Sequence, residues 1–417
     1  MPKESPPTPY TMKLITPVTK ALLAERTYDI EFNGYLSNHV KHAIVALDKL
    51  EAPTERIQGY WNEYTTLTPY KLELHKVDQD WDKVTPCTLA EWKEYKGQKT
   101  NWQEQVAFME AELHESFNGN TDKLVRKYAP PLLSGMGGAL THGIIHLGLA
   151  IDAQSPWMIC EGLAYLNFCS LGVDQDKLEQ GSFADLSPMD SFVRVAKTWE
   201  ADNLREEWVN KAKDAYDETF HPELVSAGFQ WELSKVMKDA HPVATQFPGW
   251  VDEKSIDELW HALYRDTTYL YLATRDADGK GNFVVLHLLS SLWGLEQVCR
   301  LVDSGPTMMK VSREALKQYY ATLVCLLATA GSGFPSVESL EKIQEEFAEL
   351  HVDVPDFDWA PLVNNGIAED EEHNIKIVYV TKELWNRYGR WSGFSQAAQT
   401  FTVTPNIGPD TPKLSTQ

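Results

Sequence analysis

Along this 417-residue chain, run after run repeats its apolar residues at helical spacing, and strand-like alternation is scarce. Residues 32–50 carry Leu36, Val40, Ala43, Ile44, Leu47 and Leu50 along one stripe, with Asn33-Gly34 at the start. The pattern returns from Trp102 to Phe117 and stops at Asn118-Gly119-Asn120. Pro130-Pro131 then opens a long apolar stretch to Ile151. Residues 156–171, 189–199, 205–219, 222–238, 255–274, 282–302, 309–329, 337–350 and 370–388 also read as helices. The best strand is Lys71 to Val77, and loops are marked at 276–281, 303–306 and 331–335. No solenoid repeat is present. The expectation is a mostly α, multi-helix globular fold. Residues 1–15 and 403–417, rich in Pro, Thr and Ser, read as flexible tails. Residues 16–402 read as a single α-helical domain, with a division into two lobes near 175–190 as the alternative.

Charge removes several classes of partner. The formal net charge is −22, whereas nucleic acid and anionic membranes need a basic footprint. No run reaches transmembrane length without a charge, and the first residues have no apolar signal core, so the expected location is cytoplasmic. Five cysteines are scattered and have no CxxC spacing, which fits buried free thiols in a reducing compartment. Fourteen tryptophans offer flat apolar surface for packing or for a planar ligand.

Histidines inside apolar runs carry the chemistry. In Thr141-His142-Gly143-Ile144-Ile145-His146-Leu147-Gly148 two imidazoles four apart share one helix face, the spacing that offers two nitrogens to one metal ion. The alternative is a tight helix crossing, with Gly143 and Gly148 letting a neighbour approach. His39 and His42 lie three apart on another face. His287 is a lone histidine in an apolar run, where Ser290 and Ser291 could satisfy it. His373 and Lys376 share a third face, with Lys376 between Ile375 and Ile377. A lysine buried there must be paired or lose its proton. Two further stretches, Trp61-Asn62-Glu63-Tyr64 and Cys160-Glu161-Gly162-Leu163-Ala164-Tyr165, put carboxylates among aromatics. They could hold an imidazole, bond a phenolic ligand, or simply pack.

Other active-site classes have no support. Ser134-Gly135-Met136-Gly137-Gly138 follows a proline pair rather than a strand, and Leu140 stands where the dinucleotide fingerprint needs its last glycine. Serine-hydrolase, zincin and P-loop motifs are missing.

The ordered set Asn38-His39-x-x-His42, His142-Gly143-x-x-His146-x-Gly148, His287 and His373-x-x-Lys376 resembles the questin oxidase-like family from about residue 30 to 390. The resemblance implies an oxygenase of fungal secondary metabolism, with residues 16–402 as the catalytic domain. It would open a ring of an anthraquinone or its hydroquinone, an aromatic polyketide, by C–C cleavage with O2, as a dioxygenase or in Baeyer–Villiger fashion. One branch of the family resembles a non-haem iron enzyme whose metal is held by histidines and a carbamylated lysine. Carried onto this chain, Fe(II) would be held by His42, His142, His146, His287 and carbamylated Lys376. His39 and His373 would be catalytic groups or further ligands, and spacing leaves the choice between His39 and His42 open. Trp61, Tyr64 and Tyr165 would bind substrate. Two alternatives stand beside this one: a metal-free oxygenase using histidines as acids and bases, and a non-catalytic binding protein for an aromatic metabolite. Any NAD(P)H requirement would belong to a separate quinone-reducing step, since the chain has no dinucleotide fingerprint. Assembly as a homo-oligomer is left open.

Overall fold

The computed structural model describes residues 13–201, 203–215, 229–303, 309–330, 333–348 and 357–405. Helices dominate it, as the periodicity predicts, and one contiguous core of buried side chains runs from Leu22 to Ala398. Among the described residues no helix is long and apolar enough to cross a membrane. Both expected tails fall largely outside the described residues, as do parts of the helices expected at 205–219, 222–238 and 337–350.

Ten helices position the histidines: α1 (Val40–Lys49), α2 (Thr54–Thr66), α3 (Trp102–Ala111), α4 (His142–Asp152), α5 (Pro156–Phe168), α6 (Ile256–Ala273), α7 (Phe283–Val302), α8 (Met309–Thr329), α9 (Glu372–Arg387) and α10 (Ser392–Gln399). Helix α4 is central and packs on both α5 and α7, while α9 packs on α1, α7 and α10. The α4–α7 crossing is set by two glycines. A Cβ on Gly148 would lie 2.3 Å from the Gly294 Cα, and one on Gly294 would lie 2.6 Å from the Ile144 carbonyl oxygen. The close approach anticipated for Gly148 is thus present, and it brings His142 and His287 together across the same crossing.

Three local expectations are corrected. Residues 32–50 do not form one helix. Asn33 (φ 51°) and Gly34 (φ 81°) make the tight turn of a hairpin between β1 (Glu31–Phe32) and β2 (Leu36–Ser37), where Phe32 pairs with Leu36. The helix starts only at Val40. Residues 71–77 form no strand; their pairing is confined to one antiparallel bridge of Lys76 with Tyr28, closed by Asp29 N–H to the His75 carbonyl at 2.9 Å and Val77 N–H to the Thr27 carbonyl at 3.1 Å. The run from Pro130 to Ile151 is also broken. Two short 3-10 turns precede α4, and Ala139, Leu140 and Thr141 have φ of 47°, 52° and 66°. Three successive left-handed residues, each costing about 1 kcal/mol or more without glycine, turn the chain sharply just before His142. The helix at Thr54–Thr66 went unassigned in the sequence, although Ile57, Tyr60, Trp61 and Tyr64 are its buried face at helical spacing.

Candidate metal centre

Six histidines and one lysine expected at the site lie together in the core, each at most 6 % exposed. His39 caps α1 and His42 lies one turn in; His142 opens α4 and His146 follows one turn on; His287 is in the first turns of α7; His373 and Lys376 are on α9. Ring centroids separate His39 from His142 by 4.4 Å, His39 from His373 by 4.6 Å, His142 from His287 by 4.8 Å and His287 from His373 by 4.7 Å. Four helices therefore wall one cluster.

The outer nitrogens of three rings are committed to oxygen acceptors. His142 Nδ1–H donates to the Ala139 carbonyl, which the left-handed turn aims back at it. His287 Nδ1–H donates to the Phe283 carbonyl at 2.7 Å, not to Ser290 or Ser291, whose hydroxyls bond backbone carbonyls of their own helix. His373 Nδ1–H donates to Glu371 Oε1 at 2.7 Å. Burial and neighbouring cationic groups keep these rings neutral. His142 and His373 are held well below the ordinary imidazole range, and His287 is pushed down to about 3. A neutral ring with its proton on Nδ1 has a bare Nε2. The three bare nitrogens meet: His287 Nε2 lies 3.2 Å from His142 Nε2 and 3.1 Å from His373 Nε2.

Lone pairs facing one another at that distance repel unless positive charge stands between them. The donor set fits a divalent ion. Nitrogen ligands about 2.1 Å from an ion and at right angles around it are about 3.0 Å apart, close to the separations seen. Metal-bound histidines also characteristically give their other N–H to a carbonyl or carboxylate, the arrangement of all three rings here. His39, His142 and His373 likewise offer three donor atoms within 4.8 Å of one another, so a fourth imidazole is in reach.

On the α9 side, Lys376 Nζ lies 3.3 Å from His39 Nδ1, and Glu372 Oε1 lies 3.4 Å from the same nitrogen. Burial pulls the Lys376 ammonium down to about 8, against the pull of Glu372 and Glu371 in the other direction. Glu371 caps α9, accepting the backbone N–H groups of His373 and Asn374 at 2.7 and 3.1 Å. Burial pushes both adjacent carboxyls up, and the Glu372 charge adds to the rise at Glu371, so the pair holds one negative charge more readily than two. Tyr70 donates to Glu372 Oε1 at 2.8 Å. Glu371, Glu372 and Tyr70 were not singled out in the sequence; an acid pair directly before His373 was the available signal. Phe283 completes the wall, its ring 4.9 and 4.7 Å from those of His287 and His373.

His42 and His146 form a second arm. His42 Nε2 and His146 Nδ1 are 3.0 Å apart, and His146 Nε2 lies 3.6 Å from Glu161 Oε2. Glu161 thus stands beside an imidazole, one of the roles open to it in the sequence. The three aromatics expected to bind substrate are dispersed. Trp61 lines a small cleft with Tyr28, Lys41, His146 and Glu161. The Tyr64 hydroxyl accepts the His39 backbone N–H at 3.3 Å. Tyr165 donates to Glu31 at 3.0 Å and shares a hydrogen bond with Ser37, its ring 6.5 Å from His146.

The fold and cluster define a helical protein with a closed, polyhistidine site at its centre. The chain belongs to the questin oxidase-like family, whose model matches residues 36–381, from the hairpin before His39 to the middle of α9. No curated protein matches it. Membership points to an oxygenase acting with O2 on an anthraquinone-type small molecule.

Proposed function

We propose that this protein is an Fe(II)-dependent oxygenase that cleaves a C–C bond in an anthraquinone or its hydroquinone. The observation that carries the reading is the meeting of three bare imidazole nitrogens, His142, His287 and His373 Nε2, at 3.1 and 3.2 Å with every Nδ1 spoken for. Those three would hold the ion, with His39 as the fourth imidazole. Lys376, as its carbamate, would add the oxygen ligand that an all-nitrogen set lacks and that Fe(II) favours. Fe(II) supplies the one-electron chemistry that the reaction of O2 with a closed-shell aromatic requires.

The protein's own groups supply the rest. Glu371 and the Ala139 and Phe283 carbonyls lock ring orientation, so the donors are preorganised. Phe283 and the apolar flanks of α4 and α7 exclude water. His39 Nδ1 faces both the Lys376 amine and the Glu372 carboxyl, which Tyr70 holds in turn. Anaerobic purification followed by metal analysis tests the reading: close to one iron per chain, with turnover of a hydroxyanthraquinone lost on chelation and restored by Fe(II), is expected. Less than about a tenth of an equivalent with full turnover would favour histidines working as acids and bases without metal.

A further inference from the structure

The histidine cluster lies at the ends of its helices. His39 caps α1, His142 opens α4, and His287 and His373 lie in the first turns of α7 and α9. His287 and His373 are fully buried, but Phe283, whose ring packs 4.9 and 4.7 Å from theirs, is only half-buried. One phenyl ring thus touches both solvent and two of the converging imidazoles.

The segment that follows α10 crosses at the same place. Thr400–Val403 has neither helix nor strand and joins no sheet among the described residues. Tyr271, near the end of α6, donates to the Thr400 carbonyl. Gly281, two residues before Phe283, donates its N–H to the Phe401 carbonyl at 3.1 Å. A Cβ on Gly281 would lie 2.0 Å from the Tyr271 hydroxyl, so the two segments touch there. On the other side Asn374, next to His373, clasps Thr402. Its Oδ1 accepts the Thr402 N–H at 2.9 Å, and its Nδ2 donates to the Thr402 carbonyl at 3.2 Å. Nδ2 also donates to Glu369 Oε2 at 2.8 Å, which holds the amide in this orientation. Thr400–Val403 is therefore a strap from the start of α7 to the start of α9, over the gap that Phe283 fills.

A flat aromatic cannot reach the converging nitrogens while this wall is closed, since each cluster residue is at most 6 % exposed. The helices around the cluster are joined by packed apolar faces. The strap is fastened by isolated hydrogen bonds, with Phe401 half-buried and Val403 exposed. Segments held in that way open at the low end of a protein's range of local stabilities.

We propose that Thr400–Val403 is a lid latched by Asn374, and that its release, with rotation of Phe283, opens a slot between the first turns of α7 and α9 for a flat, hydroxylated aromatic substrate. The substrate class rests on the function proposed above; the latch does not. Opening exchanges the strap's hydrogen bonds for bonds to water. Closure over bound substrate restores them and expels that water.

Stopped-flow mixing of the full, metal-free chain with 2-hydroxyanthraquinone reports entry through quenching of tryptophan fluorescence. Because the site opens first, the observed rate should level off at the opening rate as probe concentration rises. Asn374→Ala loses both latch bonds and should raise that plateau about 10-fold; Thr402→Pro, which leaves α9 untouched, loses one and should raise it about 5-fold. Ser191→Ala, in the helix Pro188–Ala201, also loses two hydrogen bonds, one from Trp250 and one to Asp185, both at 2.8 Å. It should leave the plateau unchanged. A wild-type rate that stays linear, an unchanged plateau in both strap variants, or an equal rise in Ser191→Ala overturns the lid. If the probe binds no form of the protein, the substrate class falls. Withdrawal of Fe(II) from the loaded chain by 1,10-phenanthroline, another flat tricycle, then decides the lid. Its red complex should form about 10-fold faster in Asn374→Ala than in the wild type, and equal rates overturn the proposal. A chain that takes neither the probe nor iron has no site for a lid to close, and the proposal then falls with the function.

Discussion

His373 Nε2 lies 3.1 Å from His287 Nε2, across the gap between α9 and α7, with the other nitrogen of each ring already bonded to an oxygen. Neither ring can donate to the other while both are neutral. The contact is costly in the empty protein and becomes favourable around a cation.

Ion binding should therefore stabilise the fold. Fe(II) or another divalent ion at 100 times its Kd adds about 2.7 kcal/mol by mass action, which thermal unfolding with and without chelator would record. His287→Ala should abolish most of this increment, since it removes the nitrogen shared by both close contacts. An unchanged melting temperature across the wild-type titration counts against an ion at this place.

Glu371 performs two tasks, capping α9 and holding His373 Nδ1. Glu371→Gln keeps its shape but loses the charge. A cost of about 1 kcal/mol in unfolding is expected from the weakened cap. Metal affinity should drop about 10- to 100-fold from the freed ring. Isothermal titration separates the two effects; a stability loss with no change in affinity would reduce Glu371 to a cap.

The glycine contact between α4 and α7 should tolerate no side chain. Gly148→Ala puts a Cβ 2.3 Å from the Gly294 Cα, backbone against backbone, so the helices must part. Denaturant unfolding should show a loss of about 3 kcal/mol or more. Because His142 and His287 face each other over the same crossing, metal affinity should fall with it.

Asp29, beside the hairpin, has its carboxyl raised to about 6, chiefly by burial. The folded state thus keeps this proton to higher pH than the unfolded state does. Its contribution is full below about pH 4 and is lost as pH rises through 6. Discounted for partial exposure, the loss is about 2 kcal/mol. Asp29→Asn retains the oxygen that accepts the Ile30 N–H at 2.7 Å and removes the titration. The variant should gain on the wild type between pH 4.5 and 7 in denaturant midpoint; parallel curves would contradict the assignment.

Much of the site was readable from spacing alone. His142/His146, His39/His42 and His373/Lys376 share helix faces because three- and four-residue intervals project one way in any α-helix. Apolar flanks meant burial, and burial of so many imidazoles demanded partners. Helix period also marked α7, α8 and α9 to within a few residues. Local pattern failed where conformation depended on distant contacts. Asn33-Gly34 sits in apolar surroundings compatible with a helix start or a hairpin, and the pairing of Phe32 with Leu36 decides it.

What the sequence by itself determined was therefore the inventory: helices, their buried faces, and which histidines those faces carry. Only the tertiary structure decided which nitrogens meet. The Ala139 carbonyl reaches His142 through three left-handed residues that no periodicity foretells. Glu371 and Glu372 looked like the polar start of a helix until folding removed their water. Proton positions on the rings follow from acceptors on their own segments, whereas the Nε2 contacts join residues 86 and 145 apart in the chain. Spacing along one helix fixes direction, whereas a coordination sphere is a property of several helices at once.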